Sequence, residues 1–182
     1  MIVFCSFEQM PMIIDFGKQY GFPNSYPLFF IKKTSSQVLK ANMKIVGATE
    51  HAVVLYRDKL PKFNNGRQVD EEGKAIRGTG KMIFNWMEWE RDGKDIPKIH
   101  PTQKPVNILS RLISIFTDPG DVVIDPCAGS GTTLRAAAEL GRNSYGFEID
   151  KVFYSKAKEQ MLSNIEELTL QTDIYELIAQ DA

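Results

Sequence analysis

A twelve-residue stretch in the second half of the chain passes from a strand pattern through a glycine turn into a helix pattern. Residues 122–124 are apolar and β-branched, as in a strand buried on both faces, and Gly129 and Gly131 allow positive φ angles and a close backbone approach. Good helix formers follow over residues 132–140, and Gly141 ends them. Because the first N–H groups of a helix lack internal partners, this stretch predicts a site for an anionic ligand group.

A second strand pattern, over residues 143–149, follows that helix and contains Glu148, nineteen residues after Gly129. In doubly wound folds, an acidic residue about 20 positions beyond the glycine turn binds the ribose hydroxyls of a nucleotide. A tight turn with a surface carboxylate gives the same spacing, so the spacing alone leaves both interpretations open.

Two motifs separated by about twenty residues make the prediction more specific. Residues 100–105 are His-Pro-Thr-Gln-Lys-Pro, and residues 125–133 are Asp-Pro-Cys-Ala-Gly-Ser-Gly-Thr-Thr. This pair resembles the amino-group DNA methyltransferases of the permuted, beta-type order, which use S-adenosylmethionine. The resemblance is specific over residues 100–150. It implies an α/β, Rossmann-like methyltransferase fold with an incomplete sheet, and methyl transfer to the exocyclic amine of adenine or cytosine.

The same resemblance implies roles at a cofactor site. Glu148 would bind the ribose hydroxyls, residues 132–133 would hold the methionine carboxylate, and Asp125 would accept from the methionine ammonium or, alternatively, cap the turn. Residues 102–104 would close the pocket over the methionine end, although Lys104 is alternatively a solvated lysine at a helix start. The complete predicted set is Thr102, Gln103, Lys104, Asp125, Pro126, Cys127, Ala128, Gly129, Ser130, Gly131, Thr132, Thr133 and Glu148.

Charge is unevenly distributed along the chain, although the net charge is only −1. Residues 32–104 carry fifteen Lys and Arg against nine Asp and Glu, whereas residues 148–182 carry three against eight. Clustered basic residues are what DNA phosphates require, so we expect residues 32–104 to contact DNA, with a solvated loop surface as the alternative.

The basic middle of the chain is also where the element pattern is weakest. Residues 58–81 predict a loop or a hairpin, and the run with both tryptophans, residues 82–89, predicts core or lid packing or, alternatively, stacking on unpaired bases. We expect a single methyltransferase-like domain over residues 1–182, with residues 58–98 as a loop or target-facing insertion.

The remaining elements follow from periodicity. Strands are predicted over residues 1–7, 26–33 and 50–57, and helices over residues 10–20, from Pro105 onward and over 151–162, with an acidic amphipathic segment at 166–178. The chain is 43% hydrophobic with no apolar run near the ~18 residues of a membrane span, which favours a globular, cytoplasmic protein without a membrane contact. Two cysteines and two histidines lack metal-ligand spacing, and we expect both thiols to be reduced.

One expected motif is absent from the sequence. The family also carries Asp/Asn/Ser-Pro-Pro-Tyr/Phe/Trp, which binds the flipped base, and the 182 residues contain no Pro-Pro dipeptide. We therefore expect the cofactor-binding, C-terminal part of such an enzyme, truncated or split and inactive alone. Because the missing strand lies in the middle of the family's sheet, bare strand edges are expected, which a second chain or copy could complete.

Two other functions remain open at this point. One is a non-catalytic module that contacts DNA or supports a complete methyltransferase. The other is a dinucleotide oxidoreductase, which the paired threonines at residues 132–133 and the motif at residues 100–105 disfavour. The motifs do not distinguish adenine from cytosine as the target base.

Overall fold

The structure is a computed structural model that describes residues 1–34, 38–40, 42, 45–59, 62–163 and 165. It divides into two compact units, Met1–Glu90 and Arg91–Ala182, which are described separately. None of the helices in the described ranges combines the length and the apolar character needed to cross a bilayer. The amphipathic segment predicted at 166–178 lies outside the described residues, and a single domain over 1–182 stays a prediction.

The first unit is built on a four-stranded sheet. Its strands, in sheet order, are β1 (Ile2–Cys5), β5 (Thr49–Tyr56), β2 (Asn24–Lys32) and β6 (Trp86–Trp89). β5 is antiparallel to both of its neighbours, and β6 is parallel to β2. The core of the unit lies along β5, where four consecutive apolar residues, 52–55, are buried. A strand that pairs with a neighbour at each edge and is packed on both faces favours such a continuous apolar run.

Three strands and one helix of this unit were predicted within a few residues. β1, β2 and β5 correspond to the three predicted strands, and α1 (Met10–Gln19) corresponds to the predicted helix, which ends before Gly21 at φ +82°. The short antiparallel pair β3 (Val38–Lys40) and β4 (Ile45–Val46) was not predicted, since the segment is polar and each strand is very short.

The basic excursion after β5 contains a hairpin. Val69 and Ala75 form an antiparallel bridge, and Asp70 closes the turn by accepting through Oδ1 from the main-chain N–H of Lys74 at 2.7 Å. At the base of the hairpin, the N–H of Lys81 donates to the carbonyl of Asn65 at 2.9 Å. The hairpin alternative of the prediction is therefore the one that forms. The strand β6, inside the predicted 58–98 insertion, was missed.

The second unit alternates strands and helices. Its elements are α2 (Val106–Phe116), β7 (Val122–Asp125), α3 (Thr132–Glu139), β8 (Asn143–Gly146) and α4 (Lys151–Lys156), continued by a π-helical segment, Ala157–Met161. β7 and β8 are parallel and directly paired, and α2 packs against α3. This β-α-β order places the turn after β7 beside the end of β8, where ligands bind in α/β folds.

Two expectations for this unit need correction. β7 is not buried on both faces, because Val122 and Ile124 are 53% and 64% exposed. Side chains alternate along a strand, so these two share one face, and among the described residues β7 pairs only with β8. Helix α2 begins at Val106, with Pro105 as its N-cap in extended conformation rather than as its first helical residue.

Candidate functional site

The turn between β7 and α3 is held by main-chain hydrogen bonds and one carboxylate. Asp125 Oδ1 accepts from the N–H of Cys127 at 3.0 Å, which is the turn-capping role considered as the alternative for this residue. The N–H of Ala128 donates to the carbonyl of Phe147 at 2.8 Å, which ties the turn to the segment following β8. These two hydrogen bonds connect the turn to Asp125 and to the segment following β8.

The two glycines of the turn have different neighbours. At Gly129, φ is +55°, and an added Cβ would meet nothing closer than the carbonyl of Cys127 at 4.0 Å. At Gly131, φ is +78°, and an added Cβ would lie 3.3 Å from Cβ of Ala157. Both positions need glycine for their backbone angle. Gly129 borders open space that a ligand can use, whereas Gly131 packs against the π-helical segment.

Glu148 lies two residues beyond β8 and is hydrogen-bonded to the turn. Its Oε2 accepts from the N–H of Gly129 at 2.8 Å, and its Oε1 accepts from the N–H of Asp150 at 2.8 Å. A carboxylate has about four acceptor positions, so two further donors can still bind. Glu148 thus lies next to the glycine turn, as its spacing from Gly129 predicts.

The start of α3 offers main-chain donors. Gly131 is the N-cap and has no side chain to cap the helix, so within the described part of the chain the first N–H groups of α3 are available to a negatively charged group. Thr132 is buried, and its hydroxyl oxygen lies 3.4 Å from that of Ser130, also buried. Its hydroxyl therefore faces the protein interior, whereas Thr133 is only half-buried.

The loop before α2 is stabilised by its own glutamine. Gln103 Oε1 accepts from the N–H of Ile99 at 3.0 Å, and Gln103 Nε2 donates to the carbonyl of Pro97 at 3.0 Å. The side chain predicted to contact a ligand thus spans its own loop. Thr102, which is exposed, and Lys104, which is half-buried, flank it. The N–H of Thr102 donates to His100 Nδ1 at 3.2 Å, and the Thr102 hydroxyl oxygen lies 3.0 Å from the same nitrogen.

Asp92 is a structural residue that the sequence patterns missed. Its Oδ1 accepts from the N–H of Val106 at 2.8 Å and so caps α2 from fourteen residues upstream. Burial raises the pKa of Asp92, against the opposing effect of hydrogen bonds from the N–H groups of Val106 and Asn107. A cap is ordinarily found at the residue just before a helix, so no local signal pointed to Asp92.

Residues 1–159 match the family model N6_N4_Mtase, described as DNA methylase. The chain belongs to this family of amino DNA methyltransferases. Among curated family members, it is 33% identical to Type II methyltransferase M.MjaI of Methanocaldococcus jannaschii over 163 residues, and 34% identical to Type II methyltransferase M2.DpnII of Streptococcus pneumoniae over 104 residues.

The chain matches only part of the length of each relative. The alignments cover 82% and 57% of this chain but 52% and 34% of M.MjaI and M2.DpnII, so the chain spans about half or less of these relatives. A crystal structure of an M1.HpyAVI-SAM complex matches with a TM-score of 0.70 and 29% identity, over 88% of this chain and 73% of that one.

A more distant structure supports the fold alone. The Thermus thermophilus protein TTHA0409, a putative DNA modification methylase complexed with S-adenosyl-L-methionine, matches with a TM-score of 0.56 and 22% identity. The match covers 94% of this chain and 70% of that one. The Rossmann-like α/β methyltransferase fold expected from the motifs is therefore confirmed.

Proposed function

We propose that this chain binds S-adenosylmethionine and is the cofactor-holding part of an amino DNA methyltransferase. The observation that carries the proposal is the position of Glu148. Its carboxylate accepts from the Gly129 N–H, an added Cβ at Gly129 would meet nothing closer than the carbonyl of Cys127 at 4.0 Å, and α3 begins after Gly131, which has no side chain to cap it. The hydroxyls of a ribose need an acceptor, which Glu148 provides, and a carboxylate needs donors, which the main-chain N–H groups provide.

The residues present fit the chemical groups of this cofactor. Glu148 would accept from the ribose hydroxyls, and the main-chain N–H groups of residues 132–133 would hold the methionine carboxylate. Asp125 keeps its second carboxylate oxygen for the methionine ammonium, and residues 102–104 would close the site, with Gln103 acting through its loop. When bound, the cofactor supplies an electrophilic sulfonium methyl group.

We further propose that DNA is the substrate partner and that the basic segment 32–104 contacts it. Within that segment, the hairpin carries three exposed basic side chains, Arg67, Arg77 and Lys81, which phosphate contacts require. The Type II names of the relatives favour a restriction-modification setting. The acceptor would be the exocyclic amine of adenine or cytosine.

The catalytic step needs groups that these 182 residues do not contain. Without a Pro-Pro dipeptide there is no Asp-Pro-Pro-Tyr motif to hold the target amine, so we propose that the chain alone transfers no methyl group. The motif would be supplied by a polypeptide continuous with this chain or by a separate one. The same absence favours a second candidate, a non-catalytic module that supports a complete methyltransferase.

Calorimetry with S-adenosylhomocysteine tests the cofactor proposal. We expect Glu148→Ala to weaken binding by about 1–3 kcal/mol, because the mutation removes the acceptor of buried ligand hydroxyls. Glu159→Ala is the matched control, since Glu159 is an exposed acid on the π-helical segment, and it should bind like the unmodified protein. Equal affinity for all three proteins would remove Glu148 from the ribose role, and no binding by any of them would reject the proposed function.

A further inference from the structure

A row of ring side chains crosses one face of the four-stranded sheet. The register pairs His51 of β5 with Phe29 of β2, and Phe29 with Trp86 of β6, and residues paired in this way point to the same face of a sheet. The rings of Phe29 and His51 lie 5.6 Å apart. At one end Phe84 stacks on Trp86 at 5.9 Å, and at the other Phe7 lies 6.5 Å from His51. These five residues are called the aromatic row below.

Two rings of the row are exposed although the residues beside them pack in the core. Met87, which follows Trp86, and Phe30, which follows Phe29, point to the opposite face and are buried. Phe84, in contrast, is 68% exposed and Trp86 is 43% exposed. Contiguous exposed apolar side chains mark binding sites, and aromatic rings on neighbouring strands of a sheet are a common surface on which unpaired bases stack.

The residue between Phe84 and Trp86 attaches both rings to the sheet. The carbonyl of Asn85 accepts from the N–H of Phe29 at 2.9 Å, and Asn85 Nδ2 donates to the carbonyl of Pro27 at 3.2 Å. Both hydrogen bonds join the start of β6 to β2. Because the rings are held on paired strands, a base that stacks on them orders little additional structure.

Basic side chains lie near the Phe84 end of the row. The N–H of Lys81 donates to the carbonyl of Asn65 at the base of the hairpin, and Lys81 precedes Phe84 by three residues, which span at most about 11 Å. A Cβ added at Gly80 would lie 3.3 Å from Cβ of Arg67, so this arginine is at the same base. Both basic side chains are exposed. This end therefore combines cations that suit phosphates with rings that suit bases.

The acidic side chains near the row are at other positions. Glu8 directly follows Phe7, and both are exposed, so the Phe7 end carries a charge that repels phosphates. Glu88, two residues after Trp86 on the same face, forms an ion pair with Lys33 at 3.0 Å, which neutralises it. Charge thus favours a nucleic acid strand at the Phe84 end of the row and not at the Phe7 end.

We propose that Phe84 and Trp86, with Phe29 beside them, form a stacking platform for unpaired bases of a DNA strand whose phosphates contact the base of the hairpin. The inference rests on the proposed function, since it assigns a DNA contact to particular side chains of segment 32–104. A base whose exocyclic amine is methylated must leave the duplex, so its strand presents unpaired bases. Duplex DNA, whose bases are stacked on one another, gains nothing from the platform.

Fluorescence anisotropy with one labelled mixed-sequence oligonucleotide, as a single strand and as a duplex, tests the proposal on the full chain. We expect Phe84→Ala to weaken single-strand binding roughly 5- to 150-fold, which corresponds to the 1–3 kcal/mol of one stacked base. Duplex binding and the salt slope should not change, because no cation is removed. Phe7→Ala is the matched control, since Phe7 is 69% exposed but lies at the acidic end, and it should bind like the unmodified protein.

The pattern of losses distinguishes the possible failures. Unchanged single-strand binding in Phe84→Ala, an equal loss in Phe7→Ala, or an equal loss for duplex DNA would each overturn the proposal. If Phe84→Ala converted a dimer into a monomer in sedimentation without changing DNA affinity, the row would be a contact between copies of the chain, and the proposal would be wrong. Binding of neither DNA form by the unmodified protein would reject DNA as the partner in the proposed function.

Tryptophan fluorescence gives a second test in which the platform stays intact. The chain has two tryptophans, and the ring of Trp89 contacts the buried Phe30 on the other face of the sheet at 6.0 Å. Trp89→Phe leaves Trp86 as the reporter, and we expect single-stranded DNA to quench its emission, because a base stacked on an indole quenches its fluorescence. Trp86→Phe, which reports Trp89 alone, should show no quenching. Unquenched Trp86 at saturating DNA would overturn the proposal.

Discussion

Among single residues, Asp92 combines a titratable carboxylate with the capping of a helix. Its carboxylate caps α2 through the N–H of Val106, and its burial raises the pKa. Since the folded pKa lies above the unfolded one, the folded state binds the proton more readily, and the stability that this residue contributes falls as pH rises from about 4 upward. The hydrogen bonds from the helix N–H groups therefore stabilise the ionised carboxylate of Asp92, whereas its burial destabilises that form.

Two substitutions separate these effects. Asp92→Asn keeps the acceptor and loses the titration, so its stability relative to the unmodified protein should increase between about pH 4 and about pH 7. Asp92→Ala also loses the acceptor and should be about 1 kcal/mol less stable than Asp92→Asn at every pH. Urea unfolding at the two pH values measures both differences. A difference between Asp92→Asn and the unmodified protein that does not change with pH would contradict the raised pKa.

Individual site residues were predictable only where chain spacing carries the signal. The position of Glu148 beside Gly129 was predicted from their separation in the sequence, because a β-α-β unit has a nearly fixed length. The partners of Asp92, Gln103 and His100 depend on how a loop without regular structure folds back, and no periodicity encodes that. The inward orientation of the Thr132 hydroxyl was likewise outside the reach of pattern reasoning, since Thr132 and Thr133 look equivalent in sequence.

The glycine turn gives a prediction at the scale of the element. Alanine at Gly131 would meet a left-handed backbone and the Cβ of Ala157 at 3.3 Å, whereas alanine at Gly129 would meet the same backbone penalty in open space. Each substitution should cost about 1–2 kcal/mol from the backbone alone, and Gly131→Ala should cost more because of the contact.

The two variants should therefore rank differently in stability and in ligand affinity. Thermal unfolding is expected to rank Gly131→Ala below Gly129→Ala, while Gly129→Ala should lose S-adenosylhomocysteine affinity despite being the more stable variant, because its methyl group enters the space proposed for the ligand. If Gly129→Ala bound as tightly as the unmodified protein, the open side of Gly129 would not be the ligand side.

Most helices and strands could be predicted from the sequence, but the burial of their faces could not. Helices α1 and α3 and strands β1, β2, β5, β7 and β8 follow apolar periodicity and glycine stops. β6 was missed because its tryptophans suggested packing rather than pairing, although Met87 within it is indeed buried. The exposure of β7 could not be inferred from its own residues, because an apolar strand shows the same pattern whether or not its neighbours are present.

At the scale of the whole molecule, charge segregation predicts where DNA binds. Replacing Arg67, Arg77 and Lys81 by alanine should weaken nonspecific DNA binding and flatten the slope of log affinity against log salt by about 1–3, since each phosphate contact contributes about 0.9. The matched control replaces Lys151, Lys156 and Lys158, three exposed lysines that change the net charge equally. Equal slopes for the two triple variants would indicate that the hairpin is a solvated surface.

We propose that this chain carries the cofactor site of an amino DNA methyltransferase but not the groups that hold the target amine. Positioning of that kind can lower a barrier by roughly 7–11 kcal/mol, so its absence should abolish turnover while cofactor binding remains.

A tritium-transfer assay with labelled S-adenosylmethionine and mixed-sequence DNA can show whether the chain alone transfers a methyl group. We predict no transfer by the purified chain alone, and transfer once a polypeptide carrying the Asp-Pro-Pro-Tyr motif is joined to it or added. The Glu148→Ala variant should fail in both conditions, which ties the restored activity to this cofactor site. Turnover by the chain alone, in preparations free of host methylases, would contradict the account.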